Sequence, residues 1–328
     1  MLEIAPLQRG FDLPKGNIRP GDIPVVYSNG IMSTHNQSKC IGPGVITGRS
    51  GTIGNFTFIP NGPYWPHNTA LWVTNFCGNV PLFIYHLYSH IGIVRFASGS
   101  GVPTLNRNDV HKHITSIPSN LREQNKIASF LSLLDDRIET QSKIIEEQET
   151  LLKSLRESLL KKCSKSSVSC KIGDILTIRS GKDYQHLENG DIPVYGTGGL
   201  MCHVNNFLHD GESVCIGRKG TINKPLYLNG KFWPVDTLFY THSFKGVLPR
   251  YCYHLFCTID WLTYNEASGV PSLSKSTIEK ISVVIPPIKI QESTVQALDS
   301  VEQKIDIDRN VLLGYQQQKE YLLSRMFI

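Results

Sequence analysis

Apolar side chains recur in a four-three rhythm between Asn120 and Cys163, a stretch that contains no proline or glycine. The apolar positions are Ile127, Leu131, Leu134, Ile138, Ile145, Leu152, Leu155 and Leu159. Gln141 and Gln148 occupy two further steps of the rhythm. The pattern is typical of a coiled-coil seam, in which polar steps fix the register of the paired helices. It predicts one long helix, which at about 1.5 Å per residue would span about 65 Å.

A second stretch with the same rhythm runs from about Gln291 to Phe327. Its apolar positions are Leu298, Val301, Ile305, Leu312, Tyr315, Leu322 and Met326. Asp308 and Lys319 are the polar steps. Gly314 interrupts the pattern, and a glycine inside a helix costs about 1 kcal/mol relative to alanine. The stretch predicts a second long helix.

The remaining sequence forms two blocks with short β-rich runs bounded by glycine, proline and asparagine, as expected for mixed α/β structure. In the first block we predict strands at Ile23–Tyr27, Gly44–Thr47, Phe56–Ile59 and Ala70–Thr74, and a short helix at Leu82–Ser89. In the second block we predict strands near Ser213–Ile216, Leu226–Leu228 and Leu238–Thr241, and a short helix at Tyr251–Thr258.

The two blocks are copies of one unit, because five motifs return in the same order about 168 residues later. The motif pairs are Gly21–Val25 with Gly190–Val194, Gly48–Ile53 with Gly217–Ile222, Trp65–Thr69 with Trp233–Thr237, Ser100–Leu105 with Ser268–Leu273, and Ile117–Pro118 with Ile285–Pro286. Five matches in the same order do not arise by chance, so the chain contains two copies of one unit. Each copy is a globular block followed by a charged helix.

The pattern predicts an α+β protein with a pseudo-twofold internal repeat. Two similar mixed α/β domains, residues 1–119 and 164–287, would be separated by long antiparallel coiled-coil helices at 120–163 and 288–328. Antiparallel pairing of the helices would place the two domains at opposite ends. The alternative is that each helix packs on its own block, but about 65 Å exceeds the width of a domain of about 120 residues.

The charge is mildly basic and unevenly distributed. The chain has 328 residues and a net charge of +5, with +4 in residues 1–119, zero in 120–163, +2 in 164–287 and −1 in 288–328. Two basic blocks between neutral spacers agree with two polyanion-binding blocks, although many proteins are this basic.

Several functional classes find no support in the sequence. The eight cysteines form no Cys-x-x-Cys pair, and His111 and His113 have no cysteine nearby to complete a zinc site, so we predict free thiols and no metal. No apolar run is long enough for a membrane span, and Met1–Gly10 does not resemble a signal peptide, so we expect a cytoplasmic protein. Ser180-Gly-Lys182 lacks the upstream glycine of a phosphate-binding loop, and Ile285-Pro-Pro-Ile288 is a poor relative of an adenine methylase motif.

The sequence resembles the specificity subunit of type I restriction–modification systems over essentially its whole length. The residues that carry the resemblance are Gln8-Arg-Gly-Phe-Asp-Leu-Pro14, Ile23-Pro-Val-Val-Tyr-Ser-Asn-Gly30, Gly48-Arg-Ser-Gly-Thr-Ile53, Ser100-Gly-Val-Pro-Thr-Leu-Asn106, Gln124-Asn-Lys-Ile-Ala-Ser-Phe-Leu131, Asp135-Asp-Arg-Ile-Glu139 and Leu322-Leu-Ser-Arg-Met-Phe327.

The resemblance implies a non-catalytic subunit of a type I restriction endonuclease and adenine-DNA methyltransferase complex. Two target-recognition domains would read a bipartite site on double-stranded DNA, and the helices would dock methyltransferase and restriction/translocase subunits. S-adenosylmethionine, ATP and Mg would then belong to those partners, with no cofactor in this chain. The alternatives are a stand-alone DNA-binding protein, a silent or truncated specificity cassette, and a coiled-coil scaffold that binds no nucleic acid.

The glycine-flanked turns are the best candidates for DNA contact, because arginine and lysine bind phosphate or guanine and glycine lets the backbone approach a phosphate chain. They contain Arg49, Ser50 and Thr52 in one block and Arg218, Lys219 and Thr221 in the other. The alternative is a structural turn whose arginine pairs with a nearby acid.

A second group of candidates offers amide or hydroxyl groups for bases, together with cations for phosphates. We expect Asn29, Asn36, Gln37 and Lys39 to form one polar loop, with Thr197, His203, Asn205 and Asn206 in the corresponding place. Further phosphate candidates are Lys182 with Tyr184, and Arg107 with Lys275. Trp65 and Trp233 are interpreted as core residues.

The amino terminus is shorter than the start of the second block. About a dozen residues, Ser169 to Arg179, precede Ser180-Gly181, but only eight precede Arg9-Gly10. The first domain is therefore expected to lack a first strand.

Overall fold

A computed structural model describes residues 1–99, 101–160 and 167–327. The chain divides into two units by its internal contacts. Unit 1 comprises Met1–Ser142 and Asn310–Ile328, and unit 2 comprises Lys143–Arg309. Ser100, at the start of one repeated motif, and Cys163, at the predicted end of the first helix, lie outside the described residues.

The described residues of unit 1 form ten short strands and two short α-helices before its long helix. The strands are β1 Leu7–Arg9, β2 Ile23–Tyr27, β3 Gly30–His35, β4 Cys40–Ile41, β5 Gly44–Gly48, β6 Phe56–Ile59, β7 Pro63–Pro66, β8 Ala70–Val73, β9 Ala97–Ser98 and β10 Thr104–Leu105. The helices are α1 Pro81–Ile91 and α2 Arg107–His111, followed by α3 Leu121–Leu160, which continues into unit 2.

Two four-stranded sheets form the body of unit 1. One has the order β1-β8-β5-β6 and is antiparallel throughout. The other has the order β3-β2-β7-β4, in which β2 and β7 run parallel with Val25 opposite Trp65. β5 is central in the first sheet, and all five of its residues are buried, which explains its continuous apolar run.

Helix α1 covers the first sheet and closes the main core of unit 1. It begins with Pro81 in its first turn and ends at Gly92, whose φ of +65° is a conformation that favours glycine. Its buried side chains Phe83, Ile84 and Leu87 belong to this core. Phe327 packs on Phe83 with ring centroids 5.2 Å apart.

Unit 2 repeats this arrangement. Its elements are β11 Val168–Lys171, α4 Ile172–Ile175, β12 Thr177–Ser180, β13 Asn189–Gly196, β14 Gly199–Val204, β15 His209–Asp210, β16 Ser213–Gly217, β17 Leu226–Leu228, β18 Lys231–Pro234, β19 Leu238–His242, α5 Pro249–Phe256, α6 Lys275–Lys280, β20 Ser282–Ile285 and α7 Ile288–Met326, the last continuing into unit 1. The sheet orders β12-β19-β16-β17 and β14-β13-β18-β15 match those of unit 1 strand for strand. The predicted mixed α/β repeat is therefore confirmed.

One sheet occurs in unit 2 without a counterpart among the described residues of unit 1. β11 pairs antiparallel with β20, from Val168 opposite Ile285 to Lys171 opposite Ser282. In unit 1 the segment equivalent to β20, Ile114–Ile117, forms no strand.

One buried glutamine fixes the start of each long helix. Gln124 Oε1 accepts from Val80 N at 2.9 Å, and its Nε2 donates to Pro118 O and Asn79 Oδ1, both at 2.8 Å. The side chain therefore joins the first turn of α3 to the first turn of α1.

Gln291 makes the equivalent contacts in unit 2. Its Oε1 accepts from Leu248 N at 2.8 Å, and its Nε2 donates to Gly246 O at 2.9 Å and to Pro286 O at 2.8 Å. Both glutamines are fully buried. A buried polar side chain with every group bonded is a strong constraint on geometry.

The long helices begin and end close to their predicted bounds. All predicted apolar seam positions are buried or half-buried, and Leu131, Leu134, Ile145 and Leu152 of α3 are buried. Gly314 does not break α7, and a Cβ added there would meet nothing within 4 Å.

Within each unit, α3 and α7 pair in opposite directions through polar contacts. In unit 1, Lys319 forms an ion pair with Asp135. In unit 2, Gln148 Nε2 donates to Asp308 Oδ2 at 2.8 Å, and Arg156 forms an ion pair with Glu302. The number of the α7 partner falls as that of the α3 residue rises, so antiparallel packing of the helices is confirmed. Three of the polar seam steps take part in these bonds, as expected of groups that fix register.

No helix within residues 1–99, 101–160 and 167–327 is both long and apolar enough to cross a membrane.

Candidate nucleic-acid interface

The glycine-flanked turns follow the central strand of the first sheet in each unit. A Cβ at Gly48 would lie 1.7 Å from Thr52 O, and one at Gly217 would lie 2.1 Å from Thr221 O. Gly51 and Gly220 have φ angles of +79° and +97°. The first glycine of each turn is therefore required by a close backbone contact, and the second by its positive φ angle.

In unit 1 the turn is fastened to the repeated Gly-Val-Pro segment. Arg49 O accepts from Leu105 N at 2.7 Å, and Gly51 N donates to Pro103 O at 3.0 Å. Arg49 N donates to Thr69 O at 2.8 Å. These bonds hold the backbone of the turn in place.

Unit 2 repeats the same bonds. Arg218 O accepts from Leu273 N at 2.9 Å, and Gly220 N donates to Pro271 O at 2.8 Å. Arg218 N donates to Thr237 O at 2.8 Å. Three of the repeated sequence motifs therefore meet at this one place in each unit.

No carboxylate in the described residues pairs with the arginine of either turn. Arg218 Nη1 lies 3.4 Å from the backbone carbonyl oxygen of Asp236. The Arg49 side chain makes no hydrogen bond with any described residue. Arg218 and Lys219 are exposed, and Arg49 is half-buried. The described residues thus do not provide the acid that a purely structural arginine would need.

A cleft of about 700 Å³ in unit 1 brings several separate segments together. Its lining includes Arg49 from the turn, Arg107 from α2, and Gln8 and Arg9 from β1. Two of the predicted candidates therefore share one surface. Gln8 and Arg9 were not predicted to contact DNA, although they begin one of the segments that carry the family resemblance.

The corresponding surface of unit 2 also carries several cations. By the repeat, Arg179 replaces Gln8, and Lys275 replaces Arg107. Burial lowers the pKa of His242, and the charges of Arg179 and Lys275 lower it further, which places both cations near this imidazole. Lys275 Nζ also lies 3.5 Å from Glu279 Oε1, one turn later in α6.

The β2–β3 hairpin turn lies next to the glycine-flanked turn. A Cβ at Gly48 would lie 3.0 Å from Ser28 O, and one at Gly220 would lie 3.5 Å from Thr197 Oγ1. Asn29 is exposed in this hairpin turn of unit 1. Asn29 and Thr197 therefore extend the surface formed by the basic turns.

The prediction of one polar loop in each block is wrong. Asn29 precedes β3, whereas Asn36, Gln37 and Lys39 follow it, so six strand residues, or about 20 Å, separate the two groups. In unit 2, Thr197 precedes β14, whereas His203 lies near its end and Asn205 and Asn206 follow it. The physical reason is that an extended strand, β3 or β14, lies between the residues of each predicted loop.

The side chains around the two tryptophans are largely structural. Trp65 and Trp233 are buried, with their Nε1 groups donating to Phe11 O at 3.3 Å and to Lys182 O at 2.9 Å. The ammonium of Lys39 lies 5.1 Å from the Trp65 ring centroid, and half-buried Tyr184 packs against the Trp233 cluster. The assignment of Lys39 and Tyr184 to DNA contact stays a prediction.

One cluster in unit 2 has the donor set of a metal site. The possible ligand atoms of His254, Asp299 and Glu302 lie within 4.8 Å of one another. Arg250 Nε already donates to Asp299 at 2.8 Å, and both Arg250 and Arg156 pair with Glu302. Two guanidinium groups therefore neutralise the carboxylates, so the cluster is interpreted as an ion-pair network between α3, α5 and α7.

The profile of the type I restriction modification DNA specificity domain matches the chain twice, over residues 3–150 and 165–313. These matches cover most of the sequence. The chain belongs to this family. Each match contains one complete set of sheets, one glycine-flanked turn and one buried glutamine, so the internal repeat is a repeat of the specificity domain.

Curated relatives of the same family align over part of their length. A putative type I restriction enzyme specificity subunit of Haemophilus influenzae is 26% identical over 117 residues, which is 34% of this chain and 30% of that protein. The EcoprrI type I specificity subunit of Escherichia coli is 22% identical over 142 residues, 40% of this chain and 35% of that protein. The alignments thus span about a third of either relative.

Solved structures share the fold. The S subunit of a type I restriction–modification system from M. genitalium superposes with a TM-score of 0.72 at 17% identity, covering 99% of this chain and 94% of that one. A chain from a structure of complex assembly and conformational transition in a type I R-M system gives a TM-score of 0.56 at 12% identity, covering 87% and 81%. The specificity domains therefore have the fold of known S subunits.

Proposed function

We propose that this protein is the specificity subunit of a type I restriction–modification complex and binds a bipartite site on double-stranded DNA. The observation that carries the proposal is that each unit matches the DNA specificity domain and has a basic turn anchored in the same way. Each unit would bind one half of the target. The chain itself would carry no catalytic group.

Cations and glycines would position the DNA backbone. Arg49 and Arg107 line one cleft in unit 1, where they can neutralise adjacent phosphates. In unit 2 the equivalent cations are Arg218 and Lys275, and Lys219 adds a third. Such contacts contribute affinity that decreases with salt, because they release counterions from DNA.

Differences between the units at equivalent positions would make the two half-sites different. Ser50 corresponds to Lys219, and Gln8 corresponds to Arg179. Glutamine favours adenine, whereas arginine favours guanine through paired hydrogen bonds. Each unit would thus read its own short sequence from the same scaffold.

The long helices would dock the methyltransferase and restriction subunits through apolar side chains outside the α3–α7 seam. These exposed side chains are Phe130, Leu133, Ile144 and Leu151 on α3, and Ile307, Val311, Leu313 and Tyr321 on α7. Apolar groups repeated along an exposed helix favour a protein partner. S-adenosylmethionine, ATP and Mg would be bound by those partners.

The basic turn of unit 2 provides the test. We expect Arg218→Ala combined with Lys219→Ala to weaken binding to the cognate duplex about tenfold or more and to reduce the slope of log affinity against log salt by about one to two. Lys153→Ala, on the exposed face of α3, is the matched control and should change neither quantity. Wild-type affinity and slope in the double variant would refute the assignment of this turn to DNA.

A further inference from the structure

A β-bulge interrupts the hairpin β2–β3 of unit 1. Val25 lies opposite Ser33 and Val26 lies opposite Ile31, so Met32 is an extra residue in β3. A bulge breaks the alternation of side chains along a strand and redirects the extra side chain. Ile31 and Met32 are accordingly both exposed, by 52% and 62%.

The hairpin β13–β14 of unit 2 has a bulge at the same place. Val194 lies opposite Cys202 and Tyr195 lies opposite Leu200, so Met201 is the extra residue. Leu200 and Met201 are exposed by 56% and 54%. The chain has only four methionines, so methionine at both bulges is not a result of composition. Single exposed apolar side chains are common, but an exposed pair that recurs at the same bulge in both units indicates a binding surface.

Each exposed pair lies close to the basic turn of its own unit. The hairpin loops adjoin the glycine-flanked turns at Ser28 and Thr197. The exposed pairs begin three residues later, a distance that extended backbone spans in about 10 Å at most. The grooves of B-DNA are about 6 and 12 Å wide. A duplex whose phosphates bind Arg49 or Arg218 would therefore also reach the apolar pair, whereas an apolar protein partner would have no use for the cations beside it.

We propose that Ile31–Met32 and Leu200–Met201 are apolar wedges, each of which enters the base stack of the DNA bound by its unit. Proteins insert Met, Leu and Ile side chains between base steps, which partly unstacks the bases and kinks the duplex. The wedge would favour steps that unstack easily, such as TA and CA. Each unit would thereby gain specificity without a hydrogen bond to a base. The proposal rests on the proposed function, because it requires that the basic turns bind DNA.

Serine substitutions in unit 2 test the wedge through affinity for a duplex that carries the adenine-methylated motif mapped in cells. Leu200→Ser combined with Met201→Ser should weaken binding about tenfold, because apolar contact is lost. The slope of log affinity against log salt should stay at the wild-type value, because no phosphate contact is removed. Met201→Leu should bind as the wild type does, since it keeps the apolar volume. Leu151→Ser, at a side chain 51% exposed on α3, is the matched control and should also leave binding unchanged.

The fluorescence of 2-aminopurine tests the unstacking itself. The analogue replaces each adenine of either strand in turn, and its fluorescence rises when the base leaves the stack. The steps TA and CA each contain an adenine, so the scan covers them. We expect the wild-type chain to raise the fluorescence about threefold or more at one position in each half of the motif. The double serine variant should lose this rise only in the half bound by unit 2.

The outcomes separate the wedge from the proposed function. Wild-type affinity in the double serine variant, while Arg218→Ala combined with Lys219→Ala weakens binding, would overturn the wedge alone. So would the absence of any rise in fluorescence with the wild-type chain, or a reduced salt slope in the serine variant, since the hairpin would then act through phosphate contacts. Failure of the wild-type chain to bind the duplex would overturn both proposals.

Discussion

The two units share a frame but differ in how their buried histidines are satisfied. His254 of unit 2 accepts from Arg156 Nε at 3.2 Å, so its other nitrogen carries the proton and donates to Asp299 Oδ1 at 2.7 Å. Among the described residues, Nε2 of its unit 1 counterpart His86 lies 3.3 Å from Ser132 Oγ, and its Nδ1 lies 3.8 Å from Asp135 Oδ2 without a hydrogen bond. The same fold therefore tolerates a complete polar network in one copy and a sparse one in the other.

This difference separates what the fold requires from what each copy can vary. The buried glutamine, the anchored turn and the strand orders are the same in both units. The ion pairs between the helices, the cations of the candidate DNA surface and the segment Ile114–Ile117 are not. A frame that holds its geometry while its surface changes suits two domains that bind different sequences.

The largest expected effect comes from the feature that both units share. Gln124→Ala and Gln291→Ala should each lower the free energy of unfolding by about 4 kcal/mol, because each leaves three backbone or amide groups without their partner. Gln316→Ala, on the exposed face of α7, is the control and should change it by less than about 0.5 kcal/mol. Urea unfolding measures all three. A large loss in one unit and none in the other would show that the two glutamines are not equivalent.

The sparsely bonded histidine of unit 1 predicts a dependence of stability on pH. Burial lowers the pKa of His86 to about 4, with Asp135 raising it and Lys319 lowering it by smaller amounts. Below about pH 6.5 the unfolded chain binds the proton before the folded chain does, so stability falls with pH from about 6.5 to about 4. The loss contributed by His86 is up to about 3 kcal/mol.

The variant that tests this effect is His86→Phe. Its unfolding free energy should fall less steeply than that of the wild type over this pH range, whereas His186→Phe, at an exposed position, should keep the wild-type slope. Identical slopes in the His86 variant and the wild type would mean that this imidazole does not control the acid response.

The smallest expected effect concerns a residue that differs between the two long helices. α7 contains Gly314, and the equivalent position of α3 is Glu147. Since a Cβ at Gly314 meets no atom within 4 Å, Gly314→Ala should stabilise the protein by about 1 kcal/mol. Thermal unfolding would show this as a higher Tm. A lower Tm would indicate that the glycine serves a contact made only with a partner.

The sequence predicted most of the frame because its signals are local. Proline and glycine bound the strands, and an uninterrupted four-three rhythm predicts the helices, so these elements lie within a few residues of their expected bounds. The stretch from Asn29 to Lys39 was misinterpreted because its many polar residues concealed an exposed strand, β3.

Features that depend on contacts between distant residues could not be read in the same way. Gln8 and Arg107 share a cleft only after the fold is complete. Gln124 and Gln291 look like surface residues of a polar helix, although their equivalent positions in the repeat could have revealed them. The network of Arg156 and Glu302 joins residues 146 positions apart, a separation for which the chain offers no local signal.

The central claim is that each unit reads one half of a bipartite DNA site independently of the other. The most direct measurement is a genome-wide map of methylated adenines in cells that carry the wild-type chain, no chain, or a chain whose residues 164–287 come from a relative with a different target. The account predicts that the methylated motif disappears without the chain, and that the exchange alters one half of the motif and leaves the other half intact. A motif changed in both halves, or unchanged, would contradict it.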